Sequence, residues 1–67
     1  MTKEIKVDLI LQFLKDNNMS VTEFCEKSYI GTTTYYKIIK EKTAKIETLY
    51  GIARTMNISL TQLLISD

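Results

Sequence analysis

The side chains best suited to binding chemistry lie between residues 20 and 40 of the 67-residue chain. Apolar residues recur there at helical spacing, and the pattern predicts two short amphipathic helices joined by a tight turn. Residues three and four apart on a helix share one face. The second helix can therefore bury one side and offer hydrogen-bonding groups to a groove on the other. That outward face consists of Thr32, Thr33, Tyr36 and Lys37.

A cluster of lysines follows this face along the chain. Residues 37–45 include four lysines and one glutamate, a local charge of +3, against +1 for the whole chain. Lysines close to such a helix can attract the phosphates of nucleic acid. A solvated surface without a partner is the alternative interpretation, but the position directly after the second helix favours phosphate attraction. The four are Lys37, Lys40, Lys42 and Lys45.

Length and composition argue against several classes of protein. A chain of this size forms one domain, taken as residues 1–67, without room for a catalytic cleft between two lobes. The sequence has no histidine and a single cysteine, so it offers neither a zinc-ligand set nor a Cys–His nucleophile pair. We therefore expect no enzyme activity, no metal or other cofactor, and no small-molecule ligand.

The cysteine count also bears on the cellular compartment. Cys25 cannot form an internal disulfide because it has no partner, which favours the cytoplasm. The N-terminus carries mixed charge and lacks the apolar region of a signal peptide. No apolar run approaches the roughly 20 residues that cross a bilayer. We expect a cytoplasmic protein without a membrane partner, in which Cys25 is a chemically inert, buried side chain.

Helix 1 is predicted from about Lys3 to Asp16, with Thr2 as its N-cap. Its inner stripe is Ile10, Phe13 and Leu14. Val7 and Leu11 lie on a different side, four residues apart. They form either a surface for a partner or ordinary exposed apolar surface.

Helix 2 has the start signals of a well-capped helix. Ser20 and Glu23 have the spacing of a capping box, in which the hydroxyl accepts from a backbone N–H and the carboxylate accepts from the cap. Met19 and Phe24 have the spacing of a hydrophobic staple. The sequence therefore predicts that helix 2 begins directly after Ser20.

Helix 3 is predicted to begin after Gly31 and to end near residue 39 or 40. Tyr35 and Ile38 point inward, three residues apart, while Tyr36 takes the exposed face. Threonine is a mediocre helix former, so three in a row are easier to understand if their hydroxyls are used. Capping of the helix by one of the threonines is the alternative use.

Helix 4 is predicted from Ile46 to Met56, with Gly51 in its interior. Glycine costs roughly 1 kcal/mol against alanine in a helix, so we expect another helix to approach closely there. Helix 5 begins at Ser59, and Gln62 completes a second capping box. The predicted inner residues are Leu49, Ile52, Ala53, Met56, Leu60, Leu63 and Leu64. The predicted fold class is all-α, a five-helix orthogonal bundle in which helices 2 and 3 form a helix-turn-helix.

These segments together resemble the lambda-repressor-like, Cro/CI-type helix-turn-helix family, also called XRE-type. The resemblance covers roughly Ile10 to Leu64. Its most specific marks are L-Y-G-I-A at residues 49–53 and N-I-S-L-T-Q-L-L at residues 57–64. The other marks are Met19, Ser20, residues 24–27, Ile30, Tyr35 and Ile38.

The resemblance implies that double-stranded DNA is the partner, with helix 3 in the major groove and helix 2 across the backbone. The residues that would face base edges are Thr32, Thr33, Tyr36 and Lys37. Those that would lie near phosphates are Ser20, Val21, Thr34, Lys40, Lys42 and Lys45. Threonine can hydrogen-bond most bases, and lysine suits guanine. Because arginine, asparagine and glutamine are missing from this face, we expect DNA shape to contribute substantially to specificity.

Four positions depart from the usual pattern of the family. Val21 stands where many members have a glutamine that meets the DNA backbone, which valine cannot do. Tyr29 replaces the turn glycine, so it is expected at positive φ with a cost of about 1 kcal/mol. Glu41 replaces a glycine that often ends helix 3, and Ala44 replaces a proline common before helix 4.

One domain of this kind contacts few bases, so we expect a homodimer that reads half-sites about 34 Å apart. The expected dimer surface is the C-terminal helix with Leu60, Leu64 and Ile65.

The first hypothesis is a sequence-specific DNA-binding transcriptional regulator, a repressor that occupies an operator. The alternative is a protein-interaction module, an antirepressor or adaptor, on the same fold. The low net charge and the tyrosines of helix 3 keep that alternative open.

Overall fold

The computed structural model describes residues 2–65, which leaves Met1, Ser66 and Asp67 of the expected domain outside the described part. The chain forms helices α1–α5 and strands β1 and β2 in this range. The helices are α1 Val7–Asp16, α2 Val21–Ser28, α3 Thr32–Glu41, α4 Ile46–Met56 and α5 Leu60–Leu63. The strands are β1 Thr2–Glu4 and β2 Thr43–Lys45, which pair antiparallel. The expected all-α five-helix bundle is thus not exact, because a mostly helical fold includes a small sheet.

The start of helix 1 was predicted wrongly. Thr2 is not an N-cap but the first residue of β1, and α1 begins at Val7 after Lys6, which makes no side-chain cap. Residues 2–4 pair instead with β2, in the register Thr2 to Lys45 and Glu4 to Thr43. Backbone pairing with a segment some 40 positions away therefore determines the structure of these residues, despite their local helix propensity.

The segment after β1 connects two distant parts of the chain. The backbone N–H of Ile5 donates to the carbonyl of Lys42 (3.0 Å), and the N–H of Lys6 donates to the carbonyl of Leu63 (2.8 Å). The N–H of Ile65 donates in turn to the carbonyl of Glu4 (3.2 Å). The N-terminal segment therefore lies between β2 on one edge and the C-terminal segment on the other.

The first turn of α1 differs from its prediction too. Val7 is buried and belongs to the hydrophobic core, whereas Leu11 is 45% exposed. The expected Val7/Leu11 patch is therefore not a common surface. Ile5 and Val7 alternate inward because the chain is extended until α1 begins, and Ile5 is only 1% exposed.

The contact between α2 and α4 is as close as Gly51 indicated. A Cβ atom built on Gly51 falls 2.6 Å from the carbonyl oxygen of Ser28, a distance that real side chains do not tolerate. The hydroxyl of Ser28 donates to Thr55 Oγ1 (2.8 Å), which donates to the carbonyl of Gly51 (3.0 Å). Both hydroxyl groups are thus hydrogen-bonded where the two helices touch.

The core otherwise follows the predicted helix faces. Phe24 is fully buried and contacts Phe13 and Tyr35 edge to face, with ring centroids 6.1 and 6.0 Å apart. Buried members that were predicted are Ile10, Phe24, Tyr35, Ile38, Leu49, Ile52, Ala53, Met56 and Leu63. Residues Leu60 and Leu64 are half-buried and pack against this core. The predicted bounds of α4 are confirmed, and the capping box of α5 is present.

Candidate nucleic-acid interface

The outward face of α3 is exposed as the sequence predicted. Tyr35 and Ile38 are buried on the inner side, 3% and 5% exposed, and Tyr36 is 59% exposed on the outer side. The four residues predicted to face base edges, Thr32, Thr33, Tyr36 and Lys37, are all exposed. A helix of this kind leaves hydroxyl, phenol and ammonium groups available to an external partner.

The start of α3 leaves its threonine hydroxyls outside any capping role. Gly31 is the N-cap in extended conformation, and its carbonyl accepts from the N–H of Tyr35 (3.0 Å). Because Thr32 is already the first helical residue, neither Thr32 nor Thr33 is the N-cap. The capping interpretation of these threonines is therefore wrong.

Aromatic contacts hold α3 against α2. The ring of Tyr35 meets those of Phe24 and Tyr36 edge to face, and the Tyr35 and Tyr36 centroids are 5.1 Å apart. Burial raises the pKa of Tyr35 above its ordinary value, and neighbouring Tyr36 and Cys25 raise it further. Tyr35 is therefore a neutral, packed side chain that orients the helix whose outer face carries Tyr36.

The turn between α2 and α3 has left-handed backbone at Tyr29, as expected for the residue that replaces the turn glycine. Tyr29 has φ 58° and ψ 43°, and its N–H donates to the carbonyl of Glu26 (3.3 Å). The N–H of Ile30 donates to the carbonyl of Cys25 (3.0 Å), and Ile30 packs against the core. The position of α3 relative to α2 thus depends on one non-glycine residue in left-handed backbone.

The start of α2 shows the hydroxyl half of the predicted capping box of Ser20 and Glu23. Ser20 is exposed, and its hydroxyl accepts from the N–H of Glu23 (3.1 Å). Val21, the other α2 residue predicted near phosphates, is half-buried and packs against the core. Of the two, Ser20 is thus the one whose polar side chain lies at the surface.

The lysines around the end of α3 lie on three successive parts of the chain: Lys40 is in the helix, Lys42 follows it and Lys45 ends β2. Helix α3 runs to Glu41, one or two residues past its predicted end, and Lys42 follows it in left-handed conformation (φ 60°). Ala44, which replaces the expected proline, is a buried residue of β2. Three lysines predicted near phosphates, Lys40, Lys42 and Lys45, are all exposed.

A groove between α3 and the sheet was not found by sequence reasoning. Thr34 and Lys37 of α3 line it together with Lys45 of β2, and Glu41 is its acidic member. Its other hydroxyl residues are Thr2, Thr43 and Thr48. No sequence signal brings Thr2 to α3, since its place depends on the β1–β2 pairing.

The thiol of Cys25 is buried in the hydrophobic core. Cys25 is 3% exposed, and burial raises the pKa of its thiol above the ordinary value of 9.0. The predicted burial of Cys25 is confirmed. Within residues 2–65 no three histidine, cysteine, aspartate or glutamate side chains lie close enough to hold a metal ion.

Comparison with known proteins agrees with this geometry. The family model described as the Cro/C1-type HTH DNA-binding domain matches residues 10–66. No curated protein and no solved structure gave a match. Among the described helices, none has both the length and the apolar content to span a membrane. The match extends over most of the 67 residues, and the chain belongs to the Cro/C1-type helix-turn-helix family of DNA-binding domains.

Proposed function

We propose that this chain is a sequence-specific regulator of transcription that inserts α3 into the major groove of double-stranded DNA. The observation that carries the proposal is the two-sided character of α3. Its inner side is closed by Tyr35 and Ile38, and its outer side is exposed and polar. A major groove admits one α-helix, and base edges there are read by hydrogen bonds.

The chemistry of the outer face suits partial reading of base sequence. Thr32 and Thr33 can donate to or accept from most bases, and their methyl groups can contact a thymine methyl. Lys37 can donate to guanine O6 and N7 or to a phosphate. Arginine, asparagine and glutamine, which are the best bidentate readers of base edges, are missing from this face, so we propose that DNA shape supplies part of the specificity.

Phosphate contacts would come from the groups around this face. The hydroxyl of Ser20 and the lysines at 40, 42 and 45 are exposed near the two ends of the helix-turn-helix. The groove lined by Thr34 and Lys45 adds hydroxyl groups within the same region. Phosphate contacts fix position and orientation on the duplex without reading sequence.

Regulation by this domain is proposed to be repression in the cytoplasm, as a homodimer. A domain that covers an operator excludes other proteins from it. The dimer surface proposed from the sequence is Leu60, Leu64 and Ile65, of which Ile65 is 45% exposed. Two copies would read half-sites one helical turn apart, about 34 Å.

A protein-interaction module is the second candidate function. The exposed ring of Tyr36, in the middle of the outer face, favours it, since tyrosine is common at protein interfaces. Salt separates the two candidates. Binding through several phosphates weakens steeply as salt rises, whereas an apolar protein interface barely responds.

The test begins with selection from random double-stranded DNA, followed by titrations of the selected site at several salt concentrations. We expect log affinity to fall linearly with log salt. Lys37→Ala should weaken binding by about tenfold, as the loss of one good base contact does. Lys40→Ala should weaken all sequences alike and reduce the salt slope by about 1.

Lys27→Ala is the matched control, because Lys27 is an exposed lysine near the end of α2 rather than on α3. It should retain wild-type affinity. Equal effects of Lys27→Ala and Lys37→Ala, or an affinity that salt leaves unchanged, would contradict the proposal and favour the protein-interaction module.

A further inference from the structure

A second exposed surface lies on α4 and includes none of the residues of the outer face of α3. Glu47, Tyr50 and Arg54 form a stripe along one side of the helix, at spacings of three and four residues, and all are exposed. Tyr29 lies beside this stripe, with its ring centroid 5.1 Å from the Arg54 guanidinium carbon. We call these four residues the α4 stripe.

The α4 stripe exposes two large aromatic side chains. Tyr29 is 82% exposed and Tyr50 is 61% exposed. Both tyrosines line a shallow groove, together with Gly51 and the turn at residues 28–30. None of the residues proposed to contact DNA lines this groove. Tyrosine and arginine are the residues that most often anchor protein interfaces.

Tyr29 holds its ring at the surface from a fixed backbone position. It is the left-handed C-cap of α2 (φ 58°), which is a strained position for a bulky residue. Within its own chain, the exposed ring contacts Arg54, whose Nη2 also donates to the carbonyl of Lys27 (3.4 Å). The ring is thus held in place but not buried.

The charges of the α4 stripe are arranged to match a second copy of themselves. Glu47 is near the N-terminal end of the stripe and Arg54 near the C-terminal end, seven residues or about 10 Å apart. The midpoint falls at Tyr50 and Gly51. If two stripes pack antiparallel about a two-fold axis at this midpoint, Glu47 of each faces Arg54 of the other. The Tyr50 rings then meet at the axis.

We infer that the α4 stripe is a self-association surface on which a second copy of this chain docks antiparallel. A duplex is disfavoured here, because one acid and one base offer no net attraction to phosphate. The surface is separate from Leu60, Leu64 and Ile65, and Leu60 and Leu64 already pack against their own core. The inference does not depend on DNA binding.

The test is sedimentation equilibrium of the full chain without DNA, from about 10 μM to about 1 mM. We expect a monomer–dimer equilibrium in this range. Glu47→Arg and Arg54→Glu should each weaken association by about tenfold, because each places like charges together at both ends of the interface. The double exchange Glu47→Arg/Arg54→Glu restores opposite charges and should return association to within about threefold of wild type.

Two further variants separate this surface from the C-terminal one. Tyr50→Ser leaves the charges in place and should weaken association by about tenfold or more through loss of the central aromatic contact. The C-terminal surface with Ile65 is proposed for copies bound to adjacent half-sites, so Ile65→Ser should leave association without DNA unchanged. A wild-type chain that is monomeric throughout, a double exchange that does not recover, or association lost through Ile65→Ser alone would each overturn the inference. Circular dichroism of each variant confirms that the fold persists.

Discussion

At the scale of single residues, Tyr29 shows how side-chain identity and backbone geometry compete. A left-handed backbone favours glycine, which has no Cβ, and costs other residues roughly 1–2 kcal/mol. Tyr29 adopts φ 58° and compensates through the Arg54 contact, for which about 0.5–1 kcal/mol is typical. The contact therefore offsets about half of the cost, and the turn retains some strain.

This balance predicts an order of stability for two substitutions. Tyr29→Ala keeps the Cβ in left-handed backbone and loses the ring, whereas Tyr29→Gly loses both. We expect the glycine variant to be more stable than the alanine variant by about 1 kcal/mol, because only glycine relieves the strain. For a domain of this size that difference corresponds to roughly 4–8 °C in Tm, measured by thermal denaturation.

Comparison of the two variants with each other cancels the loss of the Arg54 contact, which both share. An alanine variant that equals or exceeds the glycine variant in Tm would mean that residue 29 is not held left-handed in solution. The sequence indicated this strain only through the family resemblance, since nothing about Tyr29 by itself predicts positive φ.

At the scale of elements, the N-terminal strand could not be predicted from the residues next to it in the sequence. Lys3 and Glu4 suit a helix, and Ile10 continues a helical pattern, so a helix from Lys3 was the natural prediction. Pairing with β2 overrides that preference, and no local signal reports a partner at Thr43–Lys45. The alternation of Ile5 and Val7 was a signal for extended chain, but a weak one over three residues.

The outer face of α3 could be predicted because helix periodicity decides inside and outside within one turn. The groove beside it could not, because Thr2, Lys45 and Thr48 come together only through the sheet and α4. The Ser28–Thr55 hydrogen bond escaped prediction for the same reason, since the two hydroxyls are 27 residues apart. Gly51 was the exception, as its cost inside a helix pointed to a close contact.

The N-terminal segment, β1 with Ile5 after it, should therefore be essential to stability although the family match begins at residue 10. Ile5→Ala removes a side chain that is 1% exposed, and we expect a loss of about 2–4 kcal/mol in the free energy of unfolding. Leu11→Ala, at 45% exposure on α1, is the matched control and should cost about 0.5 kcal/mol. Urea denaturation measures both.

The comparison of Ile5→Ala with Leu11→Ala separates burial from hydrophobicity, because both remove branched aliphatic side chains. Similar losses for the two variants would mean that residues 2–5 do not pack as described. The backbone N–H of Ile5 donates to the carbonyl of Lys42, the residue after α3. Loss of the Ile5 side-chain packing should therefore loosen the end of α3 as well.

At the scale of the whole molecule, charge is distributed rather than large. A net charge of +1 gives little long-range attraction to a polyanion, so steering toward DNA has to come from the local +3 of residues 37–45. Screening by salt acts over about 8 Å at physiological ionic strength. The proposed DNA affinity should thus depend on lysines within that distance of the duplex, and little on charges elsewhere.

The stability of the whole molecule also depends on pH, through two buried groups that can lose a proton. The chain has no histidine, and burial raises the pKa of both Cys25 and Tyr35 in the folded state. Above the ordinary values of 9.0 and 10.0, the unfolded chain releases these protons while the folded chain retains them. The unfolded state then binds fewer protons, so the free energy of unfolding falls as pH rises.

We therefore expect stability to decline above about pH 9, from Cys25 first and from Tyr35 at higher pH. Urea denaturation between pH 7 and 11, with a reductant to keep the thiol free, measures the decline. The variant Cys25→Ala/Tyr35→Phe retains most of the packing but lacks both protons. Its curve should fall less steeply than that of the wild type. Parallel curves for the two proteins would show that neither buried group is linked to folding, and that the alkaline loss comes from other groups.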